Sequence, residues 1–144
     1  MADTIKPALI PELYCSNIAS SLDFYTSVLG FKILYDRPEE KFAMLERQGA
    51  QIMLEEFKKN HDRIWLTGEL EKPYGRGINM QIETTQIEEL YQSVQHSNAT
   101  IFLEIEEKWY RRDDEELGNR QFIVCDPDGY LLRFFEDLGT RSAI

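Results

Sequence analysis

Glu55 and Glu56 close the run Ile52-Met53-Leu54, and Arg133 sits in a similar run, Leu131-Leu132-Arg133-Phe134, near the other end of the chain. A carboxylate so placed can accept a charge-assisted hydrogen bond from a cationic ligand, while a guanidinium is a permanent cation. Trp65, Trp109 and Tyr110 fall outside the best strand patterns. Large aromatics in such segments either wall a ligand site or cap a core or dimer interface. Phe42 offers a further face for stacking, and Met53 shares a strand face with Glu55. Covalent chemistry is poorly supplied. Cys15 and Cys125 are far apart with no CxxC, and no histidine stands at a recognisable partner position for either. His61 reads as a solvated linker residue, and His96 as a cation favoured at a helix C-terminus. Gly75-Arg76-Gly77 lacks phosphate-loop spacing and reads as punctuation before a strand. No Ser-His-Asp or paired-carboxylate catalytic constellation is legible.

Sixteen Lys and Arg against 26 Asp and Glu leave a formal charge of −10 on 144 residues. That field repels phosphate backbones, which argues against nucleic acid, and gathers cations. No apolar run approaches the ~18 residues of a membrane span, so no membrane partner is expected. The first residues lack a signal-peptide apolar region, so the expected setting is cytoplasmic, with free thiols.

The elements that must position these groups recur twice. In residues 7–57, a strand at 8–15 precedes a helix with Ser20 as N-cap and Asp23 three residues on. Leu22, Tyr25 and Leu29 form its apolar stripe, widened by Phe24 and Val28, and Gly30 ends it. Strands at 31–35, 42–46 and 51–57 follow, the last two joined by a Gln48-Gly49 turn. A polar linker at 58–76 leads to a second module at 77–137. There a strand at 78–83 precedes a helix with a Thr85/Glu88 capping box, the stripe Ile87, Leu90, Tyr91 and Val94, and Asn98 as left-handed terminator. Strands at 101–105, 121–125 and 130–135 complete it, with an acidic loop at 113–118 and the turn Asp126-Pro127-Asp128-Gly129. Arg111-Arg112 and the acids after them read as part of a solvated loop. The expected fold is α+β in one domain spanning 1–144: two βαβββ modules whose curved mixed sheets form a cleft, with helices on the outer faces. Strand alternation puts Glu55 and Met53 opposite Ile52 and Leu54, and Arg133 with Leu131 and Phe135 opposite Leu132 and Phe134.

Leu13-Tyr14-Cys15-Ser16-Asn17-Ile18-Ala19-Ser20-Ser21-Leu22-Asp23-Phe24-Tyr25, continuing to Val28-Leu29-Gly30-Phe31, resembles the opening of the vicinal oxygen chelate superfamily. Phe122-Ile123-Val124-Cys125-Asp126-Pro127-Asp128-Gly129-Tyr130-Leu131-Leu132-Arg133-Phe134 resembles its closing strands. Members include glyoxalase I, extradiol dioxygenases, and fosfomycin and bleomycin resistance proteins. The resemblance implies that the enzymes' metal positions fall here on Ile10, Glu55, Gly77 and Arg133. Of these, only Glu55 could bind a metal, and a permanent cation at Arg133 repels one. No metal or other cofactor is therefore expected.

The pattern Leu54-Glu55-Glu56-Phe57 with Leu131-Leu132-Arg133-Phe134 is similar to the bleomycin resistance branch, whose members dimerise and sequester the drug unchanged. The resemblance thus implies a homodimeric, metal-free binding protein, of the kind that confers antibiotic resistance. It would take a cationic or aromatic small molecule through Glu55, Arg133, Trp65, Trp109, Tyr110, Phe42 and Met53. Two alternatives stay open: a glyoxalase-like lyase or other enzyme of the superfamily with a degenerate metal site, and an interaction module with no small ligand.

Overall fold

A computed structural model describes residues 6–144 of the protein. Within it the chain divides into two compact units, the first running to Tyr74 and the second from Gly75 to Ile144. The division falls inside the segment expected to be a linker.

The first unit contains β1 (Glu12–Cys15), α1 (Ile18–Asp23), β2 (Lys32–Arg37), β3 (Phe42–Arg47) and β4 (Ala50–Glu56). Its sheet has the order β1-β4-β3-β2, with β1 parallel to β4 and the other pairs antiparallel. The second unit contains β5 (Asn79–Glu83), α2 (Ile87–Gln95), β6 (Ile101–Arg112), β7 (Glu115–Cys125) and β8 (Leu131–Ser142). Its order, β5-β8-β7-β6, repeats the first, again with one parallel pair. A βαβββ module therefore occurs twice, as expected, in the α+β class.

Hydrophobic alternation decides which face of each sheet the helix covers. Leu13, Cys15, Ala43, Leu45, Ile52 and Leu54 are buried on one face of the first sheet. The helix side is marked by Arg47 Nε, which donates to the Leu29 carbonyl at 2.8 Å, and by Glu56 Oε1, which accepts from Ile18 N–H at 3.0 Å. In the second sheet Phe122, Val124, Leu132 and Phe134 are fully buried, and Ile87, Leu90, Tyr91 and Val94 of α2 are buried with them. Arg120 pairs with Glu88 of α2, which fixes the helix side there too.

Four local expectations need correction. The N-cap of α1 is Asn17, whose Oδ1 accepts from Ser20 N–H at 3.0 Å; Ser20 is already helical. The Asx cap therefore starts the helix one turn earlier and satisfies an amide of that first turn. After Asp23 the helix widens into a π-turn at Phe24–Val28, which buries Ser21 fully and leaves Leu22 only half-buried. Helix α2 starts after Gln86, with no side-chain cap from Thr85, and ends at His96 rather than at a left-handed Asn98. The largest difference lies in β6 and β7. The stretch 113–118 is no loop: Asp113-Asp114 is a tight turn, with positive φ at Asp113, between two long strands. Trp109, Tyr110, Arg111 and Arg112 all belong to β6. The Gln48-Gly49 and Asp126–Gly129 turns form as read, the latter with φ 102° at Gly129, a value that glycine adopts without a Cβ penalty.

Candidate functional site

The face of each sheet away from its helix carries the chemistry. In the first unit the register sets Phe42 opposite Glu55, Met44 opposite Met53, and Tyr14 beside Glu55. Glu55 is 8% exposed, and its Oε1 lies 3.3 Å from His61 Nε2. His61 is thus not a solvated linker residue. Its other ring nitrogen lies 3.0 Å from the Arg63 carbonyl and 3.3 Å from the Arg63 amide, so the turn holds the imidazole against the carboxylate. Phe42 is buried, with the Arg37 guanidinium 4.0 Å from its ring centroid and Tyr35 at 6.1 Å. Met53 is half-buried between these groups in register. Trp65 is 62% exposed and is tied down through its backbone, whose N–H donates to Tyr14 Oη at 2.9 Å.

Glu12 sits diagonally to Glu55 on the same face. Partial desolvation at the strand edge, where the residue remains exposed, holds its carboxyl above the usual range; Glu55 pushes the same way, and Arg37 opposes both. Glu56, on the helix side, behaves oppositely: the Lys41 ammonium at 2.8 Å chiefly holds its carboxyl low, helped by the Ile18 amide. The two carboxylates therefore give opposite pH signatures. The folded state binds the Glu12 proton more tightly than the unfolded chain, so stability falls as pH rises from the ordinary carboxylate range to the raised value. For Glu56 stability is present above the ordinary range and is lost as pH falls through the depressed value. Glu12→Gln is expected to stabilise the protein at neutral pH, and Glu56→Gln to destabilise it there and to flatten the loss on acidification. Urea unfolding across about pH 3–7 measures both slopes.

In the second unit a cavity of about 510 Å³ opens on the face away from α2. Gln81, Arg133, Phe135 and Glu83 line it from β5 and β8; Tyr110, Arg112, Leu117 and Asn119 line it from the β6–β7 hairpin, and Asp137 closes the rim. Arg133 Nη2 donates to Gln81 Oε1 at 2.7 Å. Tyr110 Oη accepts from Gln121 Nε2 at 2.8 Å, and the same amide reaches Glu106 at 3.3 Å. With its oxygen held this way, the Tyr110 hydroxyl proton faces a second acceptor choice: Gln121 Oε1 at 3.1 Å or a ligand. Cys125 is held as a thiol by burial and by Asp126, and Cys15 is fully buried, so neither is an activated nucleophile.

The structure thus brings Arg133 and Tyr110 together around one cavity, and Glu55, Phe42 and Met53 onto one face. Trp109 does not join them. It pairs with Gly118 on the helix-side face of β6, with Arg141 stacked 4.1 Å from its ring centroid. Gly118 permits this approach, because a Cβ there would meet the indole at 2.6 Å. Residue alternation puts Trp109 and Tyr110 on opposite faces once both lie in one strand, and reading them as irregular hid that difference. Gln81, Asn119, Arg112, Glu12 and His61 were missed. Their strands alternate correctly, but polar open-face residues look the same in sequence whether they line a cavity or meet bulk solvent.

The four positions that carry the metal in the superfamily's enzymes do not suit one here. Ile10 and Gly77 precede their strands and offer no donor side chain, Arg133 is a cation bonded to Gln81, and Glu55 alone of the four carries a metal-binding group. The donor set is one carboxylate, which does not fit a divalent metal.

A family model described as the Glyoxalase/Bleomycin resistance protein/Dioxygenase superfamily matches residues 6–134. The bleomycin resistance protein of Geobacillus stearothermophilus is 30% identical over 142 residues, covering 90% of this chain and 96% of that protein. Bleomycin resistance proteins of Staphylococcus aureus match to the same extent. Among solved structures, a protein from Agrobacterium tumefaciens str. C58 aligns with a TM-score of 0.66 and 26% identity over 96% of this chain and 95% of that one. TioX from Micromonospora sp. ML1 aligns at 0.68, 19% identical, over 90% and 98%, a likeness of fold. With twin βαβββ modules and a family match spanning both, the chain is a member of the glyoxalase/bleomycin resistance protein/dioxygenase superfamily.

Proposed function

We propose that this protein is a metal-free binding protein that sequesters a cationic, aromatic-bearing small molecule of the bleomycin class without altering it covalently. The observation that carries the reading is Glu55: a carboxylate 8% exposed, on the open face of a sheet, beside the Phe42 ring and Met53. Glu12 adds a second acid on that face. Planar cations gain from such a setting twice, through a charge-assisted hydrogen bond and through contact with ring faces. The 30% identity to bleomycin resistance proteins over most of both chains supports the choice of ligand class. Trp65 is a further contact on the first unit in this reading, Tyr110 belongs to the second unit's own cavity, and Trp109 is a support for the β6–β7 hairpin. A homodimer in the cytoplasm belongs to the same proposal; among the described residues no helix is long and apolar enough to cross a membrane.

Titration calorimetry with bleomycin tests it. The wild type is expected to bind, more tightly at low than at moderate salt, because the −10 charge attracts a cation. Glu55→Gln is expected to weaken binding by roughly 10-fold or more, the worth of one charged hydrogen bond. No binding by the wild type would remove the ligand class. Equal affinity in the variant would show that Glu55 is not the acid that meets the cation.

A further inference from the structure

We infer that the cavity of the second unit is an anion subsite, in which Arg133 receives a carboxylate or similar acidic group of the ligand. The inference rests on the small-molecule-binding reading and deepens it: what the cavity of the second unit takes carries an acidic group.

Of the other arginines in the strands of this sheet, Arg112 pairs with Glu115, Arg120 with Glu88 and Arg141 with Glu116, while Arg111, which meets no carboxylate among the described residues, is exposed to solvent. Arg133 meets only the neutral Gln81 amide, through one of its five N–H donors. Its Nε is closed off from solvent with no acceptor. Among the described residues only Ser21 Oγ shares that condition as a buried side-chain atom. A buried charged donor left unsatisfied costs more than a neutral one, so a half-buried arginine with no counter-ion is an unusual thing to build into a cavity wall.

Gln81 fixes the position of the guanidinium by accepting from one Nη2 proton; with Nε closed off, the Nη1/Nη2 end of the group is what remains for a two-oxygen partner. Tyr110, on the facing hairpin, lines the same cavity with a hydroxyl whose oxygen already accepts from Gln121. Its proton can serve an acidic oxygen. Glu83 and Asp137 also line the cavity, and both would repel an anion. Neither comes within ion-pair distance of Arg133, and Asp137 Oδ1 is occupied by the Gly139 amide at 2.8 Å. They confine the acid to the Arg133 side of the cavity. Phe135 and Leu117 supply apolar wall. The combination suits an aromatic carboxylate better than a bare inorganic anion.

The test uses quinoline-2-carboxylate and quinoline-2-carboxamide, probes of the same shape that differ in charge. Wild-type protein is expected to bind the acid at least 10-fold more tightly than the amide, read by calorimetry. Arg133→Gln is expected to erase that preference, and Arg133→Lys to retain only part of it, because lysine keeps the charge but loses the fork. Arg141→Gln, on the opposite face of the same sheet, is expected to leave the preference intact. Equal affinity of the wild type for acid and amide, or an acid preference that survives in folded Arg133→Gln, overturns the inference. An acid preference without bleomycin binding would keep the anion subsite and remove the bleomycin class. Bleomycin binding without an acid preference would do the reverse.

Discussion

Phe134→Ala is expected to destabilise the protein by about 3–5 kcal/mol, the range for removing a fully buried phenylalanine. Phe134 is 0% exposed, stacked on Phe122 at 5.7 Å, and Phe122 in turn lies 5.0 Å from Tyr91 of α2. These three rings join the middle of the second sheet to its helix, so the cavity left by alanine has rigid walls and collapses poorly. Phe134 is also flanked in sequence by Arg133 and Phe135, both of which line the open cavity. Loss of its packing therefore loosens the strand that presents them. Urea unfolding gives the stability change. A loss below about 1 kcal/mol would mean that the ring is not part of the core.

Asp126→Ala is expected to cost about 2–4 kcal/mol, while Asp126→Asn costs clearly less. The Asp126 side chain is 4% exposed, and its Oδ1 accepts from Asp128 N–H at 2.9 Å and Tyr130 N–H at 3.0 Å. Alanine leaves two buried amides without this acceptor at the turn that aims β8, whereas asparagine retains a side-chain carbonyl. Comparing the two variants by chemical denaturation separates loss of the acceptor from loss of charge. Equal costs would assign the effect to charge instead.

This turn is also where the sequence was most informative. Asp-Pro-Asp-Gly specifies its own geometry locally, as does Gln48-Gly49, and the apolar stripe of α2 names its buried residues without error. The alternation around Glu55 and Arg133 was equally legible, because Leu54, Leu132 and Phe134 are apolar residues spaced to share the helix side, where they are fully buried. What escaped was whatever tertiary context decides. The half-exposed residues of β6 carry no clean period-two signal, so its continuation to Arg112 was read as a loop. The π-turn at Phe24–Val28 shifts the buried stripe by a fraction of a turn that 3.6-residue periodicity does not encode. The partner of Glu55 was missed for a related reason. His61 lies in an irregular segment, and only the folded turn through Arg63 brings its ring to the carboxylate.

Mass measurement of bleomycin recovered from its complex with the protein decides whether the drug is held unchanged and without a metal. Protein treated with chelator is mixed with the drug, the complex is isolated by gel filtration, and the ligand is released by denaturation and weighed. Drug is expected to co-elute with the chelator-treated protein and to be recovered at its original mass. Drug recovered with a changed mass, or drug retained only after a divalent metal is restored, would contradict it.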